Sequence, residues 1–234
     1  MILLAFLLLT PAALHGQESE SLYRGWGLGF QVGVGGMLPT GTLAEEFKGG
    51  ALFMGGLTGE YRNLRLKADV AYGQPSFKNE NPYAVRDDQG RNLQLNGTAS
   101  TTLLGMGMQV GYTVLRQGRV SVTPNVGFCA SRLSWDMNHI KWEKDDEGQD
   151  RPKIDDVTGV HENTTGWLAS VDIDIRLHGT ITDSPVGDGQ AHYGSSLRVT
   201  PFVTHPGFSN FSPTARGACI GVCVSYAGLM HLFR

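Results

Sequence analysis

The chain of 234 residues carries 19 basic and 22 acidic side chains, a formal net charge of -3. That near-balance gives no electrostatic reason to expect nucleic acid as a partner, and the length suits one domain or at most two. The 32 glycines follow no collagen-like period, and an apolar fraction of 41% is ordinary, so the fold has to be read from the arrangement of apolar residues.

The chain opens with an apolar run from Met1 to Leu9, then Pro11 and small residues up to Gly16. The run is far shorter than the roughly 20 residues of a membrane-spanning helix and has the form of a signal-peptide core. Residues 1–16 are therefore expected to be a signal peptide, cleaved near Gly16, with 17–234 forming one domain. No basic residue precedes the run, so the true start is expected further upstream. No later apolar run approaches the length of a membrane helix.

From Trp26 onward the signal is period-two alternation, the mark of strands with two different faces, and it recurs eight times. The first strand sets Trp26, Leu28, Phe30, Val32 and Val34 against Gly27, Gly29, Gln31, Gly33 and Gly35. The second sets Ala51, Phe53, Leu57 and Tyr61 against Gly56, Thr58 and Glu60. The third sets Leu64, Leu66, Ala68, Val70 and Tyr72 against Arg65, Lys67, Asp69 and Gly73. The fourth sets Leu104, Met106, Met108, Val110 and Tyr112 against Gly105, Gly107, Gln109 and Gly111.

The fifth sets Val120, Val122, Pro124, Val126 and Phe128 against Ser121, Thr123, Asn125 and Gly127. The sixth sets Trp167, Ala169, Val171, Ile173, Ile175 and Leu177 against Ser170, Asp172, Asp174, Arg176 and His178. The seventh sets Leu197, Val199, Pro201 and Val203 against Ser196, Arg198, Thr200 and Thr204. The eighth sets Ile220, Val222, Val224 and Tyr226 against Cys219, Gly221, Cys223, Ser225 and Ala227.

Turn chemistry gives an independent check on register. A two-residue turn at Arg62-Asn63 pairs Tyr61 with Leu64 and Glu60 with Arg65, so the faces agree. At Arg116-Gln117-Gly118 a three-residue loop pairs Val114 with Val120, whereas a two-residue loop would pair opposite faces. Connections alternate between long (37–49, 74–100, 134–164) and short, with 179–194 longer than tight and 205–217 of medium length. Long loops at one end and short turns at the other suit a transmembrane barrel.

Alternation alone does not say which face meets solvent; a soluble lipocalin-like barrel would put the apolar face inside. Two features point outward. The aromatics Trp26, Tyr61 and Tyr112 gather at one strand end, Tyr72, Phe128 and Trp167 at the other, with Tyr226 expected near the periplasmic end, as in an interfacial girdle. The polar face mixes glycines with Glu60, Arg65, Lys67, Asp69, Asp172, Asp174, Arg176 and Arg198, which can pair inside a narrow lumen. The expected fold is an all-β, eight-stranded antiparallel up-and-down transmembrane β-barrel with a plugged, ion-paired interior.

On these grounds the chain resembles the small porin-like outer-membrane β-barrel proteins of Gram-negative bacteria. The opening strand Gly27 to Gly35 and the segment Leu38 to Gly49 carry the resemblance, with the eight two-faced strands and the loop alternation. It implies export to the outer membrane, with membrane lipid, lipopolysaccharide and the barrel-assembly machinery as partners. One departure stands at the end. The family's assembly signal finishes on an aromatic with apolar residues at alternate positions, whereas here Arg234 follows Phe233 and His231 takes one of those positions.

No catalytic constellation, cofactor motif or metal-ligand spacing emerges. His205 with Ser209 and Ser212, and His139 and His161 among loop carboxylates, have no specific spacing. Asn96 and Asn163 begin accidental glycosylation patterns, and the acidic 134–164 stretch lacks calcium-loop spacing. Cys129, Cys219 and Cys223 are expected to be buried and unbridged, since Cys219 and Cys223 on one strand lie roughly 13 Å apart. The expected role is structural and surface-interacting; a narrow pore for small solutes is the alternative, and a lipid-modifying enzyme a more distant one.

Overall fold

A computed structural model of the chain describes residues 25–78, 84–86, 92–94, 101–144, 148–184, 190–206 and 217–233. The expected signal peptide therefore lies outside the described residues. The described residues are almost wholly extended: β1 (Trp26–Pro39), a single helical turn α1 (Leu43–Glu46), β2 (Phe47–Tyr61), β3 (Leu64–Phe77), β4 (Ala84–Arg86), β5 (Asn92–Gln94), β6 (Thr101–Tyr112), β7 (Leu115–Gln117), β8 (Val120–Lys144), β9 (Asp150–Asp183), β10 (Gln190–Pro206) and β11 (Cys219–Phe233).

Each long strand pairs antiparallel with the next in sequence, and β11 returns to pair with β1 along its whole length, from Trp26 opposite Leu232 to Pro39 opposite Cys219. The ring of β1, β2, β3, β6, β8, β9, β10 and β11 is thus a closed eight-stranded barrel with no free edge around the ring. β7 continues β6 alongside β8, and β4 with β5 makes a small separate hairpin.

Burial follows the alternation and fixes its sense. On β3 the outward Leu64, Leu66 and Val70 are exposed, while the inward Arg65, Lys67 and Asp69 are buried. Phe128 is 71% exposed and Lys67 1%. A soluble protein rarely shows a contiguous apolar patch beyond a few hundred Å². Here the apolar face of all eight strands forms a band around the molecule, the inverse of a soluble barrel. Nine residues run from Leu64 to Tyr72, and nine from Val120 to Phe128, close to the roughly 9–11 residues a tilted strand needs to cross a bilayer.

Both ends of the apolar band carry rings. Trp26 stands opposite Tyr61, with ring centroids 4.6 Å apart, and Leu64 joins Tyr61 to Tyr112 across β3. Towards the other end Phe128 stands opposite Trp167, while Tyr72 stands between Phe53 and Leu104. Tyr226, expected near the periplasmic end, instead sits at the middle of β11, opposite Val32 and Leu197.

The Arg62-Asn63 turn has the expected register: Tyr61 faces Leu64, Glu60 faces Arg65, and Arg62 takes the left-handed φ of 56° that such a turn asks for. The second turn differs. It is a two-residue turn at Gly118-Arg119, with Gln117 opposite Val120 and Gly118 at φ 56°. The face conflict that excluded it is absorbed upstream. Gly111 pairs with Asn125 but Leu115 with Val122, so one extra residue enters between them. Val114 and Leu115 both face outward as a result, the effect of a β-bulge.

Three connections are shorter than expected. Residues 37–49 hold only a turn and α1 between β1 and β2, and β9 and β10 run on to Asp183 and Gln190, which pair. The stretch 134–164, expected to be a loop, is a hairpin: β8 and β9 pair from Val120 opposite Ile175 to Lys144 opposite Asp150, with a register shift at His139/Ile140. Beyond the Phe128–Trp167 pair β8 continues for sixteen residues and β9 for seventeen, so the hairpin reaches about 50 Å past the band at about 3.3 Å per residue.

The lumen as candidate functional site

Strands hand alternate residues to the interior, so side chains far apart in sequence meet there. Asp172 and Asp174 come from β9, Arg65, Lys67 and Asp69 from β3, Glu60 from β2 and Arg198 from β10. All are buried. Arg65 is the hub. It donates to Glu60 Oε1 at 2.6 Å, from Nη1 to Asp172 Oδ2 at 2.9 Å and from Nη2 to Asp174 Oδ2 at 3.0 Å. A planar five-donor guanidinium can serve three carboxylates in this way, which a lysine ammonium cannot do with the same geometry.

Lys67 Nζ donates to Asp172 Oδ1 at 3.0 Å and lies 3.7 Å from Asp69 Oδ2. Arg198 donates from Nε to Asp174 Oδ1 at 2.6 Å and from Nη1 to Gln31 Oε1 at 2.7 Å. Gln31 Nε2 in turn donates to Asp69 Oδ1 at 2.5 Å, and Gln109 Nε2 donates to Asp69 Oδ2 at 3.1 Å. Thr200 Oγ1 adds a donor to Asp172 at 2.9 Å. Isolated buried charges are costly, but every one of these stands within 4.0 Å of an opposite charge and takes part in at least one hydrogen bond.

Seven of the eight residues expected in the lumen network are therefore brought together. Arg176 is placed elsewhere: half-buried, it lines the open mouth beside the turns, with Arg116, Arg119, His192 and His231. The bridging amides and hydroxyls of Gln31, Gln109, Ser170 and Thr200 were missed as network members. Their only sequence signal is that they share the inward phase of the charged residues.

The interior is layered. Above the charged cluster, Met37, Leu52, Leu103, Cys129, Leu168 and Phe202 line a small apolar chamber, and Leu43 from α1 and Phe47 at the start of β2 are buried over it. All three cysteines are buried and unbridged. Cys129 Sγ lies 3.0 Å from Thr204 Oγ1. His231, which looked like a departure in the assembly signal, belongs to the lumen face, with Nε2 3.3 Å from Glu60 Oε2. The outward positions of β11 are Tyr226, Gly228, Met230 and Leu232, which carry no charge.

The residues considered for catalysis do not converge. His205 is exposed and stacks on Trp167 with centroids 5.9 Å apart, on the outer face. Ser209, Ser212 and the side chains of His139 and His161 lie outside the described residues, as do most side chains of the acidic 134–164 stretch. Among the described residues no three His, Cys, Asp or Glu side chains stand close enough together to hold a metal ion.

No protein-family model matches the chain, and no curated protein matches it. Among solved structures it is similar to Neisserial surface protein A, at 12% identity over 88% of this chain and 97% of that one, TM-score 0.46. It is similar to the outer membrane protein OprG of Pseudomonas aeruginosa, at 9% identity over 91% and 98%, TM-score 0.41. It is also similar to the outer membrane protease OmpT of Escherichia coli, at 10% identity over 90% and 97%, TM-score 0.32. OprG and OmpT are outer-membrane proteins.

Proposed function

We propose that the chain is a non-enzymatic integral protein of the bacterial outer membrane, an anchor with a sealed lumen that holds an extended surface hairpin. The apolar band meets the lipid, and the closed ring satisfies the backbone groups that no water could reach there. Lipid and lipopolysaccharide are its surroundings, and the barrel-assembly machinery is its partner during insertion. The β8–β9 hairpin projects on the side opposite the termini and offers the contact surface.

The observation that carries the sealed lumen is the buried cluster around Arg65 and Asp172. It spans the interior from β2 and β3 to β9 and β10, and no member's side chain is more than 8% exposed. An ion crossing the lumen would have to break several charge-assisted hydrogen bonds. Purified protein in planar bilayers should give no steady single-channel current in salt. Discrete, reproducible current steps would replace this reading with the narrow pore.

A further inference from the structure

We propose that the apolar chamber above the charged cluster is a binding site for a small uncharged apolar molecule, the size of a xenon atom or a short hydrocarbon. The chamber has a volume of about 90 Å³. Protein interiors are packed as densely as organic crystals, with few voids larger than a water molecule. An apolar cavity of ~150 Å³ takes up benzene or xenon.

The lining sets the chemistry of the guest. Met37, Leu52, Met54, Leu103, Leu168 and Phe202 form the walls. The polar groups of the floor are already engaged. Lys67 and Thr200 donate to Asp172, Gln31 and Gln109 donate to Asp69, and Ser170 Oγ donates to Gln109 Oε1 at 2.7 Å. A charged or strongly polar guest would have to break one of these bonds, whereas an apolar guest makes no such demand. Leu43 and Phe47 close the roof. Thr40 pins the chain just before α1, since its backbone N and its Oγ1 both donate to the Ala218 carbonyl, at 2.7 and 2.8 Å.

A second observation separates this chamber from a chance void. Other inward glycines stand where a neighbour fills the space of the missing side chain. At Gly27 a Cβ would lie 2.6 Å from the His231 ring, at Gly73 2.6 Å from Met37 Cε, and at Gly107 2.8 Å from Leu168 Cδ2. Gly105, on the chamber wall, differs. A Cβ there would meet nothing closer than 3.8 Å, where it reaches Ala71 Cβ and Ser131 Oγ. An empty apolar cavity costs stability in proportion to its volume, and glycine weakens the interior of a strand. A side chain at 105 would relieve both costs, and a guest explains why the space is left open. The inference is independent of the surface role of the hairpin, and the planar-bilayer recording that tests the sealed lumen is a separate readout.

The test is methyl NMR of the folded barrel in lipid nanodiscs, with ¹³C-methyl methionine, under increasing xenon pressure. Met37 and Met54 report on the chamber, and Met108, exposed on the outer face, reports on the lipid. Saturable shifts are expected at Met37 and Met54, against an unsaturating drift at Met108. Gly105→Val, which fills the chamber with a residue suited to a strand, should abolish the saturation. Val110→Ala, on the outer face of the same strand, should leave it unchanged. Gel mobility with and without boiling shows that each variant is folded. If Gly105→Val does not fold, Gly105→Ala is read in its place and should lower the affinity by at least about threefold, the scale of one buried methylene group. Shifts at Met37 and Met54 that grow without saturation, like that at Met108, would mean partition into the membrane alone and overturn the proposal. Undiminished saturation in the filled variant overturns it as well.

Discussion

Replacing Asp172 by alanine should destabilise the barrel by about 3–5 kcal/mol, the usual consequence of removing one partner from a buried charge cluster. Asp172 is fully buried and takes hydrogen bonds from Arg65, Lys67 and Thr200. Without it Lys67 would keep, among the described residues, only Asp69 as an ion partner, at 3.7 Å. Urea unfolding in lipid vesicles, followed by gel mobility and tryptophan fluorescence, measures the loss. The paired change Lys67→Met with Asp172→Leu is expected to recover part of it, because Arg65 keeps Glu60 and Asp174, while Asp69 loses Lys67 but keeps its hydrogen bonds from Gln31 and Gln109. If the single and the paired variants were equally unstable, the loss would come from the missing hydrogen bonds of Lys67 and Asp172 rather than from an unbalanced charge.

The second large effect concerns the outer face. Ala68 lies outward at the centre of the Leu64–Tyr72 segment, and Tyr72 at its end. Arginine at a barrel's lipid-facing midplane costs about 2–4 kcal/mol, falling to about 0–1 near the interface. Ala68→Arg should therefore be far more damaging than Tyr72→Arg in the same vesicle assay. On a face turned to water, both would behave as ordinary surface substitutions within about 0.5 kcal/mol. The depth gradient, rather than either value alone, separates the two situations.

Face was legible in the sequence because a strand's period of two is fixed by backbone geometry. The Tyr61–Leu64 and Glu60–Arg65 pairs could be read from the turn alone for that reason. Depth was not legible. Arg176 shares the phase of Asp172 and Asp174, so its inward direction was readable, yet nothing in the alternation says that it sits at the mouth rather than in the plug. Tyr226 was misplaced along its strand for the same reason.

Two further differences have separate causes. The register argument at Gly118 assumed an unbroken ladder, and the extra residue at Val114–Leu115 breaks it; a bulge leaves no pattern of its own when both residues are apolar. The β8–β9 hairpin was hidden because its outer part lies beyond the apolar band. Its alternation is short and changes phase, from Trp135 and Met137 to Ile140 and Trp142, across the register shift at His139/Ile140. The polar members Gln31, Gln109 and Thr200 lacked the charge that drew attention to Arg65 and Asp172.

The central claim, that the apolar face of the ring lies in lipid, is tested most directly by spin labels at Leu104, Met106, Met108, Val110 and Tyr112 in a background with the three cysteines replaced by serine. In reconstituted bilayers, collision with dissolved oxygen should peak near Met108 and fall towards both ends, while a water-soluble nickel reagent is excluded from the centre. Nickel access at Met108 equal to that at Leu104 and Tyr112 would contradict the account and place this face in water.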